Sequence, residues 1–134
     1  MQSPDTQAAI GAYRDIDTRS QVSDASPHRL IQLMMARALT KIGLARSQLG
    51  KGHVQDKGNN ISDAISIING LQASLNHKAD ARMSENFDAL YAYMIRQLLE
   101  ANLQNDDRKL EEVAGLLGEL KEAWDAIGDQ VNGG

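Results

Sequence analysis

Residues 110–131 read LEEVAGLLGELKEAWDAIGDQV, and this stretch decides the fold class. Its apolar side chains recur at alternating steps of three and four positions. They are Leu110, Val113, Leu117, Leu120, Trp124, Ile127 and Val131. At about 100° per residue, this spacing places them on one helical face that spans roughly 120°. The stretch therefore predicts an amphipathic α-helix that packs through a heptad-like seam.

Three earlier segments repeat this spacing. The first follows Ser26-Pro27, a pair that favours a helix start because serine caps free N–H groups and proline has no N–H to lose. Gly50 and Gly52 favour an end to that helix. The apolar positions of the three segments are, in chain order, Ile31, Met35, Ala38, Ile42, Ala45 and Leu49; Ile61, Ala64, Ile68, Leu71 and Leu75; and Met83, Phe87, Leu90, Met94, Leu98 and Ala101.

Polar segments separate the apolar stripes and set the expected helix ends. Residues 51–58, KGHVQDKG, read as a loop or a frayed helix start. The second helix is expected to end near Asn76, before the polar residues 77–80, HKAD. Residues 105–107, NDD, form the last break. An aspartate there suits the start of the fourth helix, both as a cap and through the helix dipole.

Four helices joined by short connections predict an all-α, antiparallel up-and-down four-helix bundle. We place the bundle at residues 26–131 and treat residues 1–25 as a flexible N-terminal segment. That segment carries a weak helical pattern of Ile10, Tyr13 and Ile16. A helix this short is marginal in water on its own, so we expect a helical or extended segment that either docks on the bundle or remains loose.

Composition excludes several classes of protein. The chain has 134 residues, of which 42% are hydrophobic, enough for the core of one domain. It contains no cysteine, which excludes disulfide scaffolds, thiolate zinc sites and cysteine nucleophiles. A net charge of −4 without a basic block argues against nucleic acid as a partner. The absence of a long apolar run and of a signal-like start predicts no stable membrane insertion and a cytosolic location.

Catalytic patterns are absent from the sequence. His28, His53 and His77 lie near expected helix ends or in loops, and no pair has the i,i+3 or i,i+4 spacing of a metal site. No glycine-rich phosphate loop or nucleophile elbow occurs. A histidine phosphotransfer bundle would need an exposed histidine in mid-helix, which none of the three provides. We therefore predict a protein that is not an enzyme and has neither a cofactor nor a metal.

The apolar faces of the first three helices are wider than a bundle seam requires. One interpretation is that these faces pack additional neighbours or a second copy of the chain. The other is an outer apolar groove that receives a partner helix. Residues that widen an arc beyond the seam are the first groove candidates: Met34, Ile65, Ile67, Tyr91 and Ile95. Second candidates, which fit a core position equally well, are Ile61, Ile68 and Met94.

An ordered set of motifs resembles the flagellar export chaperone family FliS. A tyrosine-bearing start with Tyr13 precedes SPHRLI at residues 26–31, similar to the family's Ser-Pro-x-x-Leu-Ile helix start. NFDALYAYM at residues 86–94 resembles the family's Asn-Leu-x-x-Leu-Tyr-x-Tyr-Met. LEEV at residues 110–113 and AW at residues 123–124 continue the agreement. The resemblance covers nearly the whole chain.

The resemblance implies a cytosolic chaperone without enzymatic activity. Such a chaperone binds the C-terminal segment of flagellin, which is disordered when free and becomes partly helical when bound. Masking that segment prevents premature polymerisation, and the complex is delivered to the flagellar type III export gate. Coupled folding of a long segment agrees with wide apolar faces, because it covers a large surface.

The resemblance also implies roles for particular residues. The N-terminal segment, through Ile10, Tyr13 and Ile16, would act as a lid over the groove that flagellin displaces. Asn102 and Asn105 match family positions and could bond partner backbone, although Asn105 could equally end a helix. We expect a monomer or a weak homodimer. The alternative is a self-associating structural or adaptor bundle without specificity for flagellin.

Overall fold

The computed structural model describes residues 25–75 and 81–132, without the side chains of residues 129–132. It contains helices α1 (Pro27–Gly50), α2 (Val54–Ala73), α3 (Ala81–Gln104) and α4 (Asp107–Asn132). Each helix packs against the next one along the chain, and α4 closes the ring against α1. The predicted all-α up-and-down four-helix bundle is therefore confirmed.

The predicted N-terminal lid residues, Ile10, Tyr13 and Ile16, lie outside the described residues. The division of the chain at residue 25 and the lid therefore stay predictions. Within the described ranges, no strand is present and no helix is both long and apolar enough to cross a membrane.

The predicted helix starts are confirmed. The Ser26 side chain accepts a hydrogen bond from the Arg29 backbone N–H at 3.1 Å, and Pro27 occupies the first helical position. At the start of α4, the Asp106 carboxylate accepts from the Arg108 N–H at 3.0 Å. Both caps satisfy N–H groups that have no partner inside the helix. α1 ends at Gly50, and Gly52 then takes a φ of 75°, which glycine adopts without steric cost.

One predicted boundary of the second helix is wrong. α2 begins at Val54, so residues 54–58 are the start of a helix, one of the two alternatives for this segment, rather than a loop. The helix extends this far because Lys57, four residues before Ile61, continues the buried stripe. α2 ends at Ala73 instead of near Asn76, where the side chain of Ser74 donates to the Leu71 carbonyl at 2.6 Å.

The core is formed by most of the predicted seam positions, but Met83 and Ile127 are 52% and 48% exposed. Its fully buried members come from all four helices and include aliphatic side chains, alanines and methionines. They include Met35, Ala38, Ile42, Ala45, Ile61, Ala64, Ile68, Leu71, Met94, Leu98, Ala101, Leu110, Val113 and Leu117. Small residues in the α1 and α2 seams, such as Ala38 and Ala64, leave room for larger side chains opposite them and let the helices approach closely.

Trp124, predicted to be a core residue, packs against the core from the α1–α4 boundary and is only partly buried. The ring of His28 stacks on it, with ring centroids 4.6 Å apart and planes within 6°. Two hydrogen bonds join the same residues: His28 Nε2 lies 2.7 Å from the Trp124 carbonyl, and Trp124 Nε1 donates to the His28 carbonyl at 3.0 Å. Gly128 is needed beside this pair, because a Cβ there would collide with the imidazole.

Candidate binding groove between α2 and α3

Apolar side chains lie on the outer surface between α2 and α3. We call this surface the α2–α3 groove and define it by Val54, Ile65, Ile95 and Leu99. Gln72 of α2 forms a hydrogen bond to Asp88 of α3, so its side chain marks the side of α2 that faces α3. At 100° per residue, the side chains of Val54 and Ile65 lie within about 20° of that of Gln72 around the helix axis. Ile65 and Ile95 are partly buried, whereas Val54 and Leu99 are 59% and 49% exposed. The groove therefore has an apolar floor and an apolar outer wall.

Two sets of polar contacts bound the groove. At one end, Gln72 Nε2 donates to the Asp88 carboxylate at 2.9 Å. At the other end, Lys57 Nζ donates to the Asn102 carbonyl at 3.0 Å and to Asn105 Oδ1 at 2.5 Å. The stretch of α2 between them, residues 58–71, is roughly 20 Å long at 1.5 Å per residue. Its walls are thus joined at both ends, which favours a groove that exists before any partner arrives.

Lys57 is the residue that sequence reasoning missed. It is only 2% exposed, and burial of an ammonium group is costly unless hydrogen bonds replace its hydration. The partners of Lys57 lie at the C-terminal end of α3, where the helix dipole favours a positive charge. The available signal was positional: Lys57 stands four residues before Ile61, on the line of the buried stripe.

Asn105 ends α3, as one of its two predicted roles required. Its φ is +52°, a left-handed conformation that asparagine tolerates better than most residues. The Asp106 N–H bonds back to the Ala101 carbonyl at 3.1 Å, the bond that closes a Schellman motif. Because Asn105 Oδ1 already accepts from Lys57, its predicted bond to partner backbone would use the amide donors or the second lone pair of that oxygen.

Of the other predicted groove residues, Ile65, Ile95 and Asn102 are brought together at the α2–α3 groove. Asn102 lies in line with Ile95 and Asp88, at successive steps of seven residues. Its carboxamide lies beside Gly58, where an added Cβ would be 3.6 Å from Asn102 Oδ1. These three residues belong to one accessible surface.

Met34 and Ile67 face a different boundary. Met34 is seven residues before Lys41, which pairs with Asp63 of α2 at 3.0 Å. Ile67 is seven residues after Asn60, which bonds Gln48 of α1 at 2.7 Å. Both residues are buried, so they lie between α1 and α2 rather than in the α2–α3 groove.

The remaining candidates are interior. Ile61, Ile68 and Met94 have no exposed surface, and Tyr91 is 4% exposed. Burial raises the pKa of the Tyr91 hydroxyl to about 12. Contact between these four residues and a partner would require the helices to separate, and their role in binding stays a prediction.

No group of three potential metal ligands occurs within the described residues. Among the described residues, charged side chains form ion pairs and hydrogen bonds at helix boundaries. One example is Arg46, which pairs with Asp107 at 2.8 Å and with Glu111 at 3.0 Å. Arg46 lowers the pKa of the Asp107 carboxyl by hydrogen bonding. The role of these three charged residues is therefore to link α1 to α4.

Comparison with known proteins supplies the family. The model of the family described as flagellar protein FliS matches residues 9–131. The chain belongs to the FliS family. It is 43% identical over 119 residues to the flagellar secretion chaperone FliSB of Pseudomonas aeruginosa, covering 89% of this chain and 94% of that protein. It is 42% identical over 128 residues to the flagellar secretion chaperone FliS of Salmonella typhimurium, covering 95% of each.

A more distant FliS protein agrees over most of its length. The flagellar secretion chaperone FliS of Bacillus subtilis is 31% identical over 106 residues, which cover 79% of this chain and 78% of that protein. The residues that the family model matches, 9–131, include all four helices except the last residue of α4. The resemblance predicted from the sequence motifs is therefore confirmed.

Proposed function

We propose that this protein is a flagellar secretion chaperone that binds the C-terminal segment of flagellin in the α2–α3 groove. The observation that carries the proposal is the FliS family match over residues 9–131. The groove supports it physically, because it presents aliphatic side chains along roughly 20 Å between two polar ends. An amphipathic segment bound there buries apolar surface of both partners. Each Å² of apolar area that is buried contributes about 25 cal/mol to the binding free energy.

Binding of this kind requires no chemical step. A segment that is disordered when free loses entropy when it orders, and the buried apolar area compensates for that loss. While it is bound, the segment is unavailable for contacts between flagellin subunits. We propose that the chaperone acts in the cytosol, holds flagellin as a monomer and passes it to the flagellar type III export gate.

We also propose that residues 1–25 act as a lid on the groove, through Ile10, Tyr13 and Ile16. A lid competes with flagellin, so deletion of residues 1–18 is expected to increase flagellin affinity and to lower the thermal stability of the free chaperone. If the deletion changes neither quantity, the lid proposal is wrong. The working unit is proposed to be a monomer or a weak homodimer, which light scattering over a concentration series tests.

The main test is calorimetric titration of the full chain with a flagellin C-terminal peptide of about 40 residues, repeated at several temperatures. We expect binding with a negative heat-capacity change and a gain in helicity. A peptide of the same composition in scrambled order is the control. No binding at high micromolar peptide would refute flagellin as the partner.

Two exposed leucines locate the binding site. Leu99, 49% exposed, belongs to the groove, and Leu44, 44% exposed, lies on α1 outside it. Leu99→Asp is expected to weaken binding about tenfold or more, since it removes apolar contact and would bury a charge. Leu44→Asp is the matched control and should leave affinity unchanged. Equal losses in both variants would place the site elsewhere.

A further inference from the structure

The outer face formed by α1 and α4 carries opposite charges on its two helices. α1 contains four basic and no acidic side chains, a net charge of +4, whereas α4 contains seven acidic and three basic ones, a net charge of −4. Part of this charge is neutralised within the chain, for instance by Arg46 with Asp107. Among the described residues, however, Arg37 of α1 and Glu119 and Glu122 of α4 form no ion pair.

The outward-facing side chains of the two helices occur at the same spacing. On α1 they lie within a band of about 80° opposite the buried Ile42, and on α4 within an equal band opposite the buried Leu117. The α1 set is Arg29, Leu33, Arg37, Thr40 and Leu44, and the α4 set is Glu111, Gly115, Glu119, Glu122 and Ala126. In both sets the steps are four, four, three and four residues. Taken in order, each arginine is matched with a glutamate, and each leucine with a glycine or an alanine.

The antiparallel packing of α1 and α4 makes this face complementary to itself. Gln32 of α1 bonds Asp125 of α4 at 2.7 Å, which fixes the relative height of the two helices. Arg37 and Glu119 are five and six residues from that contact, so they lie at nearly the same height on neighbouring helices. A two-fold axis perpendicular to the face at this height places α1 over α4 of a second copy, and α4 over its α1. The two sets of side chains then meet position by position.

The face is large enough for a specific interface. α1 has 24 residues and is therefore about 36 Å long, and each helix is about 10 Å wide. The two helices together offer about 700 Å² per copy, or about 1,400 Å² for a pair, which is within the range of specific protein interfaces. Because many of the facing groups are charged and exposed, we expect weak association that depends on salt.

We propose that the α1–α4 face is a homodimer interface in which the basic surface of α1 in each copy meets the acidic surface of α4 in the other. Arg37 pairs with the partner's Glu119 near the two-fold axis. Leu33 packs over the partner's Gly115, where nothing lies within 4 Å of an added Cβ. The α2–α3 groove lies on the opposite side of the bundle, so the dimer leaves both grooves open. The interface does not depend on which partner the groove binds.

Sedimentation of the full chain over a range of concentrations tests the interface by charge reversal. The wild type is expected to form a dimer that dissociates as the salt concentration rises from about 0.05 M to about 0.5 M. Arg37→Glu and Glu119→Arg each place like charges at two symmetry-related contacts, which should raise the dissociation constant about tenfold. Arg82→Glu and Glu85→Arg make the same changes at exposed positions of α3. They are the controls and should dimerise like the wild type.

The decisive result is rescue on mixing. In an equimolar mixture of Arg37→Glu and Glu119→Arg, both symmetry-related contacts join opposite charges, so a heterodimer should form about as tightly as the wild-type dimer. The chain that carries both substitutions should likewise dimerise with itself. Circular dichroism confirms that each variant is folded, and Arg29→Glu with Glu111→Arg replaces the first pair if either of its members is not.

Three outcomes would overturn the proposal. The first is a wild type that stays monomeric at every concentration, and the second is a dimer that the charge reversals do not weaken. The third is a mixture that dimerises no better than its separate components, since this would show that the two positions do not face each other.

Discussion

Gly128→Ala is expected to destabilise the bundle, although alanine is the better helix former. A Cβ at position 128 would collide with the imidazole of His28 and displace it from Trp124. The stacked pair contributes about 0.5–1.5 kcal/mol, and its two hydrogen bonds contribute about 1 kcal/mol each. The loss is therefore about 3 kcal/mol, of which the higher helix propensity of alanine returns about 1 kcal/mol. A net cost of about 2 kcal/mol remains.

The expected change in melting temperature follows from the size of the chain. With 134 residues and an unfolding entropy of about 2.1 cal/mol/K per residue, 2 kcal/mol corresponds to about 7 °C. Thermal unfolding followed by circular dichroism measures this shift. Fluorescence of Trp124, the only tryptophan, reports whether the stack itself is lost.

Gly115→Ala is the matched control in the same helix. Nothing lies within 4 Å of a Cβ at Gly115, so alanine there should raise the melting temperature by about 3 °C. In a His28→Ala background the obstacle is gone, and Gly128→Ala should no longer destabilise. The reasoning is refuted if Gly115→Ala and Gly128→Ala shift stability in the same direction, or if removal of His28 does not change the effect of Gly128→Ala.

Three further predictions concern the groove and two titrating groups. Ile65→Asp should weaken flagellin binding while helicity persists, whereas Ile61→Asp, at a fully buried position, should unfold the protein; collapse of both would make Ile65 a core residue. The pKa of Asp107 is lowered by Arg46, so its contribution to stability is complete above its ordinary pKa of 3.8 and is lost as pH falls through the lowered value. Asp107→Asn should thus melt lower than the wild type at neutral pH, and the difference should shrink below about pH 4; a constant difference would contradict this assignment. Burial raises the pKa of Tyr91 to about 12, so stability tied to its proton is complete below about pH 10 and is lost as pH rises towards 12. Tyr91→Phe should therefore lose less stability than the wild type over that range in parallel thermal melts.

Local chemistry accounts for the features that the sequence predicted correctly. The steps of three and four in residues 110–131, the Ser26-Pro27 start and the aspartate cap at Asp106 each depend on side chains within one turn of one another. Such signals are fully present in a linear sequence. Four amphipathic helices in succession, joined by short connections, imply an up-and-down bundle. Motifs such as NFDALYAYM at residues 86–94 indicated the family.

The groove depended on contacts that no local pattern contains. Ile65 and Ile67 both widen the apolar arc of α2, yet Ile65 lies at the α3 boundary and Ile67 at the α1 boundary. Periodicity gives the direction of a side chain around its own helix, but not which neighbour stands in that direction. For the same reason, periodicity did not predict the His28–Trp124 stack, which joins residues 96 positions apart.

Lys57 is the clearest case of a residue whose environment depends on tertiary structure and not on the local sequence. In the sequence it reads as a charge in a polar segment, for which solvent is the usual environment. Only the antiparallel packing of α2 on α3 brings the Asn102 carbonyl and the Asn105 side-chain oxygen to its ammonium group, and these two acceptors make its burial tolerable. The sequence by itself determined four amphipathic helices and their order. The tertiary structure decided which of their apolar and polar side chains meet, because that depends on the rotation and register of helices distant in the chain.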